Sequence, residues 1–378
     1  MTIKTPPKYV LHILNNLETA GYEAFMAGGC VRDALMGRVP NDYDIATDAP
    51  PEAVMSLFSR TVPTGVRHGT VTVLYGGGSC EVTTYRLEGR YTDHRRPDSV
   101  RFTSRLEDDL SRRDFTINAM AMDVSGRITD PFGGRRDIGQ RLIRCVGDAE
   151  KRFSEDALRM FRALRFAAKL GFDIEVDTLE AIYECSPLAG SLSAERISAE
   201  LRGILASPDP DRVWDAVQLC LLDRFLRSGS YNPRPLAPLP LYARLARWCA
   251  DLESGGLIMS TDSFLSALRF STHERKKNAA AAEILRSGSR DYKRLLRDFG
   301  PEAVLAAYPK SRRLRQILRS GECWSRGALA ISGKDLLALG YSGSNIRDKL
   351  DELVEHVIDC PEDNKREILC KLAMEDII

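Results

Sequence analysis

The stretch GGCVRDALMGRVPNDYDIAT, Gly28 to Thr47, decides how the first part of this chain folds. It follows a short apolar segment, Glu23–Ala27, that has the character of a strand. Two glycines break that strand, Val31–Met36 then reads as a helix, and Gly37 ends it. Tyr43–Ala46 is again typical of a strand. The order strand, tight turn, helix, strand predicts the beginning of a mixed α/β unit.

The turn at Gly28-Gly29 indicates a phosphate site. Glycines allow the backbone to approach a phosphate closely, and the start of the following helix supplies free N–H donors. Arg32 lies in the first turn of that predicted helix, where its guanidinium can donate charge-assisted hydrogen bonds to the same phosphate.

Two carboxylates complete the stretch. Asp42 and Asp44 are two residues apart, so on an extended backbone both side chains point to one face. Carboxylate oxygens suit Mg²⁺, which typically keeps substrate phosphates as further ligands. Two such ions about 3.5–4 Å apart can activate a hydroxyl and stabilise a leaving pyrophosphate. Asp42 and Asp44 are therefore predicted to be catalytic and to hold Mg²⁺.

The rest of the first 140 residues alternates strand and helix signals. Between Gly89 and Glu107 the chain is polar, with five arginines and one proline, which predicts a long mobile loop. The remaining predicted elements are the helices Tyr9–Ala20, Pro51–Phe58 and Asp114–Asp123 and the strands Thr70–Tyr75 and Cys80–Arg86, paired across Gly76–Gly78. The segment Gly126–Phe132 closes this mixed part of the chain.

From Phe153 onward strand signals nearly vanish. Helical patterns include Asp156–Leu170, Asp177–Cys185, Ala194–Ala206 and Pro210–Leu222, and they continue to the C-terminus. The fold class is therefore predicted to be α+β, with a mixed or antiparallel sheet in the first part and an all-α remainder. Residues 286–319 contain ten Lys or Arg and three Asp or Glu, which makes a local basic surface.

Composition excludes several other classes of protein. The formal net charge of the 378 residues is only +1, so no global field attracts nucleic acid. Nine cysteines without a CxxC pair and five scattered histidines argue against a zinc enzyme and suit a reducing cytoplasm. The sequence shows no signal-peptide layout, no apolar run of about 18 residues and no His-Asp pair of a metal phosphohydrolase. A cytoplasmic protein that does not enter a membrane is expected.

A second group of candidate residues lies in EDALRMFR. On one predicted helix, Asp156 and Arg159 are three residues apart and face the same side. Asp accepts from the exocyclic amine of cytosine or adenine, and Arg donates to their ring nitrogen or carbonyl acceptors. Uracil and guanine present the opposite polarity at those edges. The pair is therefore predicted to admit C and A and to reject U and G.

The stretch Gly28–Thr47 resembles the signature of the polymerase-β-type nucleotidyltransferases, in particular the class II tRNA nucleotidyltransferase and poly(A) polymerase family. RRDFTINAMA (112–121), SEDALRMFRALRFAAKLGF (154–172) and ERISAEL (195–201) resemble later motifs of that family in the same order. ISGKDLLALGYSGSNIRDKLDELV (331–354) and Asn364 resemble the C-terminal region of Bacillus-type CCA-adding enzymes. The resemblance is dense from about residue 20 to 205.

This resemblance implies an organisation and additional site residues. It implies a polymerase-β-like catalytic head at 1–140, a helical neck at 141–207, a helical body at 208–285 and a tRNA-binding tail at 286–378. The implied nucleotide ligands are Gly29, Arg32, Arg113, Asp156, Arg159, Arg162 and Arg165, with Asn118 a weaker candidate and Glu81 a third catalytic carboxylate. On a continuous helix Arg165 would point half a turn away from Asp156, so a surface ion pair is an alternative role for Arg165.

The function expected from the resemblance is template-independent addition of C, C and A to the 3′ end of tRNA from CTP and ATP, with release of pyrophosphate. Enzymes that add only CC or only A, a poly(A) polymerase and a catalytically dead RNA-binding protein are the alternatives. In this family, CC-only enzymes look to lack a loop such as Arg90–Arg105, so its presence favours full CCA addition. The oligomeric state is open, and a homodimer is one of the states considered.

Overall fold

The computed structural model describes residues 5–89 and 99–375. The chain divides into two compact units, Met1–Arg224 and Phe225–Ile378. The first unit contains every described strand, and the described part of the second is helical. Among the described residues, no helix combines the length and the apolar character needed to cross a bilayer.

A seven-stranded mixed sheet forms the base of the first unit. Its strands are β1 Ala24–Ala27, β2 Asp44–Thr47, β3 Thr61–Gly65, β4 Thr70–Tyr75, β5 Gly78–Thr84, β8 Ala121–Met122 and β9 Ile128–Thr129. They run in the order β3-β4-β5-β2-β1-β8-β9, and among these neighbours only the β2–β5 pairing is parallel. The strands β6 Arg86–Glu88 and β7 Val100–Phe102 form a separate antiparallel pair.

Helices cover this sheet and continue the unit. The first four accompany the sheet: α1 Lys8–Thr19, α2 Gly29–Leu35, α3 Pro51–Leu57 and α4 Leu106–Ser111. The buried side of α1, with Val10, Ile13, Leu14 and Leu17, packs in one apolar core with the sheet residues Met26, Ile45, Val71 and Val82. The later helices are α5 Gly134–Gln140, α6 Ala149–Glu155, α7 Leu158–Leu170, α8 Val176–Glu184, α9 Ala194–Leu205 and α10 Asp215–Gln218.

The mixed sheet with a helical remainder confirms the predicted fold class, and the hairpin across Gly76–Gly78 is confirmed by the Tyr75–Gly78 pairing. The all-α prediction for the neck needs one small correction. Two-residue strands, β10 Leu142–Ile143 and β11 Asp173–Ile174, pair in parallel there. A strand this short carries no recognisable alternation in the sequence.

Three other element predictions were wrong. Residues 114–123 form a short 3₁₀ turn, Thr116–Asn118, and the strand β8, because this buried segment pairs with β1 on one side and with β9 on the other. The segment predicted as a loop from Gly89 to Glu107 contains β7 and the start of α4, while Arg90–Asp98 lies outside the described residues. The helix predicted at Asp156–Leu170 is interrupted, so that α6 ends at Glu155 and α7 starts at Leu158.

The second unit consists of eight helices in its described part. They are α11 Leu241–Ser254, α12 Thr261–Ala267, α13 Thr272–Ser287, α14 Tyr292–Ala307, α15 Arg312–Ser320, α16 Gly333–Ala338, α17 Ser344–Asp359 and α18 Arg366–Glu375. One apolar core joins α11, α13, α14 and α15, and a smaller one joins α16, α17 and α18. The predicted boundary at 285 lies within α13, and the division into head, neck, body and tail stays a prediction.

Candidate functional site

A cavity of about 630 Å³ in the first unit collects most of the predicted site residues. Charged side chains dominate its wall, and both the sheet and the helices α2 and α7 contribute. The lining residues are Gly28, Gly29, Arg32, Asp42, Asp44, His68, Arg86, Glu88, Arg112, Arg113, Asp114, Asn118, Asp156, Leu158, Arg159, Arg162, Phe166, Lys169 and Arg196.

The glycine turn leaves room for a guanidinium. Gly28 has φ +80°, which a side chain disfavours, and a Cβ at this position would lie 2.6 Å from Nη1 of Arg113. Arg113 is also held by the Asp109 carboxylate, at 3.3 Å. Its buried Nε has no hydrogen-bond partner among the residues that the structure describes. The absence of a side chain at Gly28 therefore allows a cation to lie over the start of α2, where it can face an anion in the cavity.

The two aspartates of the first motif present their carboxylates to the same cavity. Asp42 precedes β2 and Asp44 begins it, and both are exposed while Tyr43 between them is buried. Glu81 lies on β5 directly opposite Asp44, although it does not line the cavity. Although the Asp44 side chain reaches solvent in the cavity, the protein atoms around its carboxylate partly desolvate it and raise its pKa to about 6. Arg113 opposes this rise, and Asp42 and Glu81 add to it. Acidic groups gathered in this way favour a bound cation.

A buried polar network connects the glycine turn to α7. Arg32 is only 3% exposed and donates to Asn118 Oδ1 at 2.6 Å. Asn118 donates to Asp114 at 3.1 Å, and Asp114 accepts from Arg162 at 2.6 and 2.8 Å. Burial alone would raise the pKa of Asp114, but Arg162 and Asn118 outweigh it and hold that pKa at about 2. The charged form of Asp114 therefore orients Arg162 at the cavity wall.

Asp156 lies in the break between α6 and α7 rather than inside a helix. Its Oδ1 accepts from the backbone N–H of Leu158 at 3.1 Å, which satisfies a donor at the start of α7. Nη2 of Arg196 lies 2.8 and 3.1 Å from its two carboxylate oxygens. Because both contacts act on one side chain, the carboxylate is fixed at the edge of the cavity.

Arg159 is fixed by different groups. Its Nη1 donates to Glu155 Oε2 at 2.7 Å and to the carbonyl of Arg152 at 3.0 Å, and its Nη2 donates to the carbonyl of Arg112 at 3.1 Å. Asp156 and Arg159 thus both line the cavity, but each is oriented by its own partner.

Arg165 does not line the cavity. Its Nε donates to Glu200 Oε2, and its guanidinium lies over the Phe166 ring with a distance of 4.6 Å to the centroid. The ion pair weighed as the alternative for this residue is present in the structure. The predicted role of Arg165 in nucleotide binding stays a prediction.

Two family models match the chain. One, the poly A polymerase head domain, covers residues 24–144. The other, described as a probable RNA and SrmB-binding site of polymerase A, covers residues 171–228. The first match spans the sheet and the glycine turn, and the second spans α8, α9 and α10.

Relatives match nearly the whole chain. The CCA-adding enzyme of Geobacillus stearothermophilus is 37% identical over 99% of this chain and 98% of its own length. The CCA-adding enzyme of Geobacillus kaustophilus is 38% identical over the same shares. The chain belongs to the family of CCA-adding enzymes. A crystal structure of the Bacillus stearothermophilus CCA-adding enzyme in complex with CTP superposes with a TM-score of 0.80, at 34% identity, over 99% of this chain and 98% of that one.

Membership of the CCA-adding enzymes confirms the family predicted from the motifs. Nucleotidyltransferases of this kind generally use a divalent metal ion. The side chains present here fit that requirement, because Asp42 and Asp44 offer oxygen ligands on the cavity wall and raise each other's affinity for a cation.

Several residues at the cavity were not among the predicted ligands. Asp114 and Arg196 belong to the family motifs RRDFTINAMA and ERISAEL, and their charge was the available signal. Lys169 follows Arg162 by two helical turns on α7, a spacing that the sequence also shows. Arg86 and Glu88 come from the short strand β6, and no local pattern indicates that they reach the cavity.

Proposed function

We propose that this protein adds C, C and A in turn to the 3′ end of tRNA, with CTP and ATP as donors and pyrophosphate as the second product. One observation carries the proposal: a single cavity contains acidic metal ligands, several arginines and the charged pair predicted to read the base. Its volume of about 630 Å³ is within the range of small-molecule sites. The reaction is attack of the tRNA 3′-hydroxyl on the α-phosphate of the nucleotide.

The chemistry is assigned to the side of the cavity formed by β2 and α2. We assign the divalent ion as Mg²⁺, held by Asp42 and Asp44, since hard carboxylate oxygens and phosphates suit it best. When bound, the ion would stabilise the negative charge of the triphosphate. Arg113, Arg32 and Arg162 add positive charge around the same space, and Gly29 leaves the backbone accessible. Glu81, opposite Asp44, is proposed to orient the attacking hydroxyl.

Base selection is assigned to Asp156 and Arg159 at the start of α7. The Asp156 carboxylate accepts from the exocyclic amine of cytosine or adenine, and the Arg159 guanidinium donates to the neighbouring acceptor. Their partners Arg196 and Glu155 hold them in place before the nucleotide arrives. Preorganised groups lose little conformational entropy on binding. Uracil and guanine would leave these charged groups facing groups of like polarity.

Contact with the tRNA backbone is assigned to the second unit. Five of the ten cations between 286 and 319 are neutralised by acidic side chains, namely Arg286, Lys293, Arg294, Arg297 and Arg313. Arg312, Arg315 and Arg319, by contrast, lie on one exposed face of α15 and line a shallow depression with Gln316 and Ser320. Within the described residues, no acidic group pairs with these three arginines. They are the proposed phosphate contacts.

A cytoplasmic location follows from the proposed substrates. Transfer RNA, CTP and ATP meet in the cytoplasm, and all nine cysteines are free thiols in the structure, as a reducing compartment requires.

The proposed function is tested by supplying each of the four nucleotides singly to two tRNAs, one lacking all three terminal residues and one ending in CC. We expect CTP alone to extend the first by two residues and ATP alone to extend the second by one. Long A tails on either substrate would show a poly(A) polymerase. No extension of either would show an RNA-binding protein without activity, and extension of only one would show a CC- or A-adding enzyme.

A further inference from the structure

A corner at the C-terminal end of the second unit brings three metal-ligating side chains together. His356 lies in the last turn of α17, Cys360 follows that helix, and Asp363 ends the short 3₁₀ turn Pro361–Asp363. Their ligand atoms all lie within 4.8 Å of one another, and a ring nitrogen of His356 is 2.8 Å from Asp363 Oδ2. All three side chains are half-buried, so an ion can reach them from solvent.

We propose that His356, Cys360 and Asp363 form a site for Zn²⁺ or a similar borderline-soft divalent cation. One nitrogen, one sulfur and one oxygen ligand form an incomplete tetrahedral set that a water molecule completes. The thiolate ligand distinguishes this cluster from a magnesium site, because Mg²⁺ takes oxygen ligands. Binding forms three metal–ligand bonds, through a neutral imidazole, a carboxylate and the Cys360 thiolate, and releases the thiol proton to solvent.

The local backbone supports this geometry. The N–H of Cys360 donates to the carbonyl of His356 at 2.8 Å, and the N–H of Asp363 donates to the carbonyl of Cys360 at 3.1 Å, so two tight turns bring the three ligands together. Next to them, the Asn364 side chain bonds the N–H of Ala330 and the carbonyl of Ala328, at 2.8 and 2.9 Å. Glu362, two residues after Cys360, adds negative charge that favours a divalent cation, whereas the neighbouring Asp359 is already paired with Arg294.

A metal at this corner would connect the end of α17 to the segment that leads into α18. These helices share the smaller core of the second unit, whose buried members include Leu336, Leu353, Val357 and Leu369. Small cores bury too little apolar surface to be very stable, and a structural metal is one common way of compensating. The site is therefore proposed to stabilise the C-terminal helices and to be separate from the nucleotide cavity.

The test is titration of the full-length, chelator-treated protein with Co²⁺, whose bond to a thiolate produces a charge-transfer absorption that Mg²⁺-type oxygen sites lack. We expect one equivalent of Co²⁺ to give this absorption and Zn²⁺ to displace it. Cys360→Ser should remove the band, and His356→Ala should weaken binding at least about 10-fold. Cys370→Ser, which alters another half-buried thiol on α18, should leave it unchanged.

Two results would overturn the site. One is the absence of thiolate charge transfer in the wild type, and the other is a band that persists in Cys360→Ser. Circular dichroism shows whether the variants fold. Asp363→Asn keeps the shape of the side chain but removes the carboxylate ligand, and weaker Co²⁺ binding by this variant is the second expected result. Zn²⁺ should also raise the Tm of the wild type but not that of Cys360→Ser. An equal rise in both would place the zinc elsewhere in the chain.

Discussion

Arg196 holds Asp156 by a two-oxygen contact across 40 residues of sequence, at 2.8 and 3.1 Å. Both side chains line the cavity, and only Asp156 is assigned to the base. Arg196 is therefore a positioning residue, since it acts on the base through the carboxylate. The contact joins the start of α7 to α9, which no local sequence pattern does.

Replacing Arg196 should reduce the selection between bases more than the binding of the nucleotide. In Arg196→Gln the Asp156 carboxylate loses a charge-assisted hydrogen bond worth about 1.5–3 kcal/mol. We expect the ratio of CTP to UTP incorporation to fall about 10-fold or more, measured as kcat/KM for each nucleotide. Arg165→Gln is the matched control, because it breaks a similar ion pair, with Glu200, away from the cavity.

The Arg165→Gln variant also tests a separate prediction, the contact of Arg165 with the triphosphate. Should Arg165→Gln raise KM for both CTP and ATP, the predicted triphosphate contact of Arg165 would be supported. Unchanged selectivity in Arg196→Gln would contradict the positioning role.

Replacing a predicted metal ligand should cause a large loss of activity. Asp42→Asn and Asp44→Asn should each lower the rate of both C and A addition by at least about 100-fold, because a metal ligand is lost. Binding of tRNA, measured by filter retention, should stay near the wild-type level. Glu81→Gln should lower the rate less, since Glu81 lies beside the cavity rather than in its wall.

An Asp42→Asn variant with more than a few per cent of wild-type activity would exclude the assigned ligands. A Glu81→Gln variant as inactive as Asp44→Asn would place the third carboxylate among the ligands.

The tRNA surface is tested by its salt dependence. Arg312→Gln with Arg319→Gln should raise the Kd for tRNA and flatten the plot of log K against log salt by about two units, roughly one for each phosphate contact. Arg313→Gln on the same helix is the control, because Glu322 already neutralises Arg313. Equal slopes for the double variant and the wild type would place the RNA contact on another surface.

Asp114 should contribute to stability in a pH-dependent way. Its pKa of about 2 in the folded state lies below the ordinary value of 3.8. Its charge therefore adds about 2 kcal/mol of stability above pH 3.8, and this is lost as the pH falls toward 2. Asp114→Asn should be less stable near neutral pH, and its disadvantage should shrink below pH 4 in urea unfolding curves. A disadvantage that stays constant between pH 7 and pH 3 would contradict this.

Local patterns predicted the half of the site that is built from neighbouring residues. The glycine turn and the shared face of Asp42 and Asp44 follow from short-range geometry of strands and turns. Glu81 came from the family resemblance, and it lies opposite Asp44 because β5 pairs with β2. The family motifs added Arg113 and Arg162 to the same cavity.

Long-range contacts account for what the sequence did not predict. EDALRMFR is typical of a continuous helix, yet Asp156 lies in a break between two helices. There its carboxylate accepts hydrogen bonds from the backbone N–H of Leu158 and from the Arg196 side chain. The buried segment that contains β8 has helical composition, but its place beside β1 makes it a strand. In both cases tertiary contacts override the local preference of the chain.

The central claim is that one pair of side chains reads both bases. Its most direct test is Asp156→Ala, with discrimination between CTP and UTP measured on tRNA lacking its last three residues and between ATP and GTP on tRNA ending in CC. Because a good base contact is worth roughly 1–3 kcal/mol, both ratios should fall together, by about 5- to 150-fold. A variant that loses discrimination for one base and keeps wild-type discrimination for the other would contradict the account.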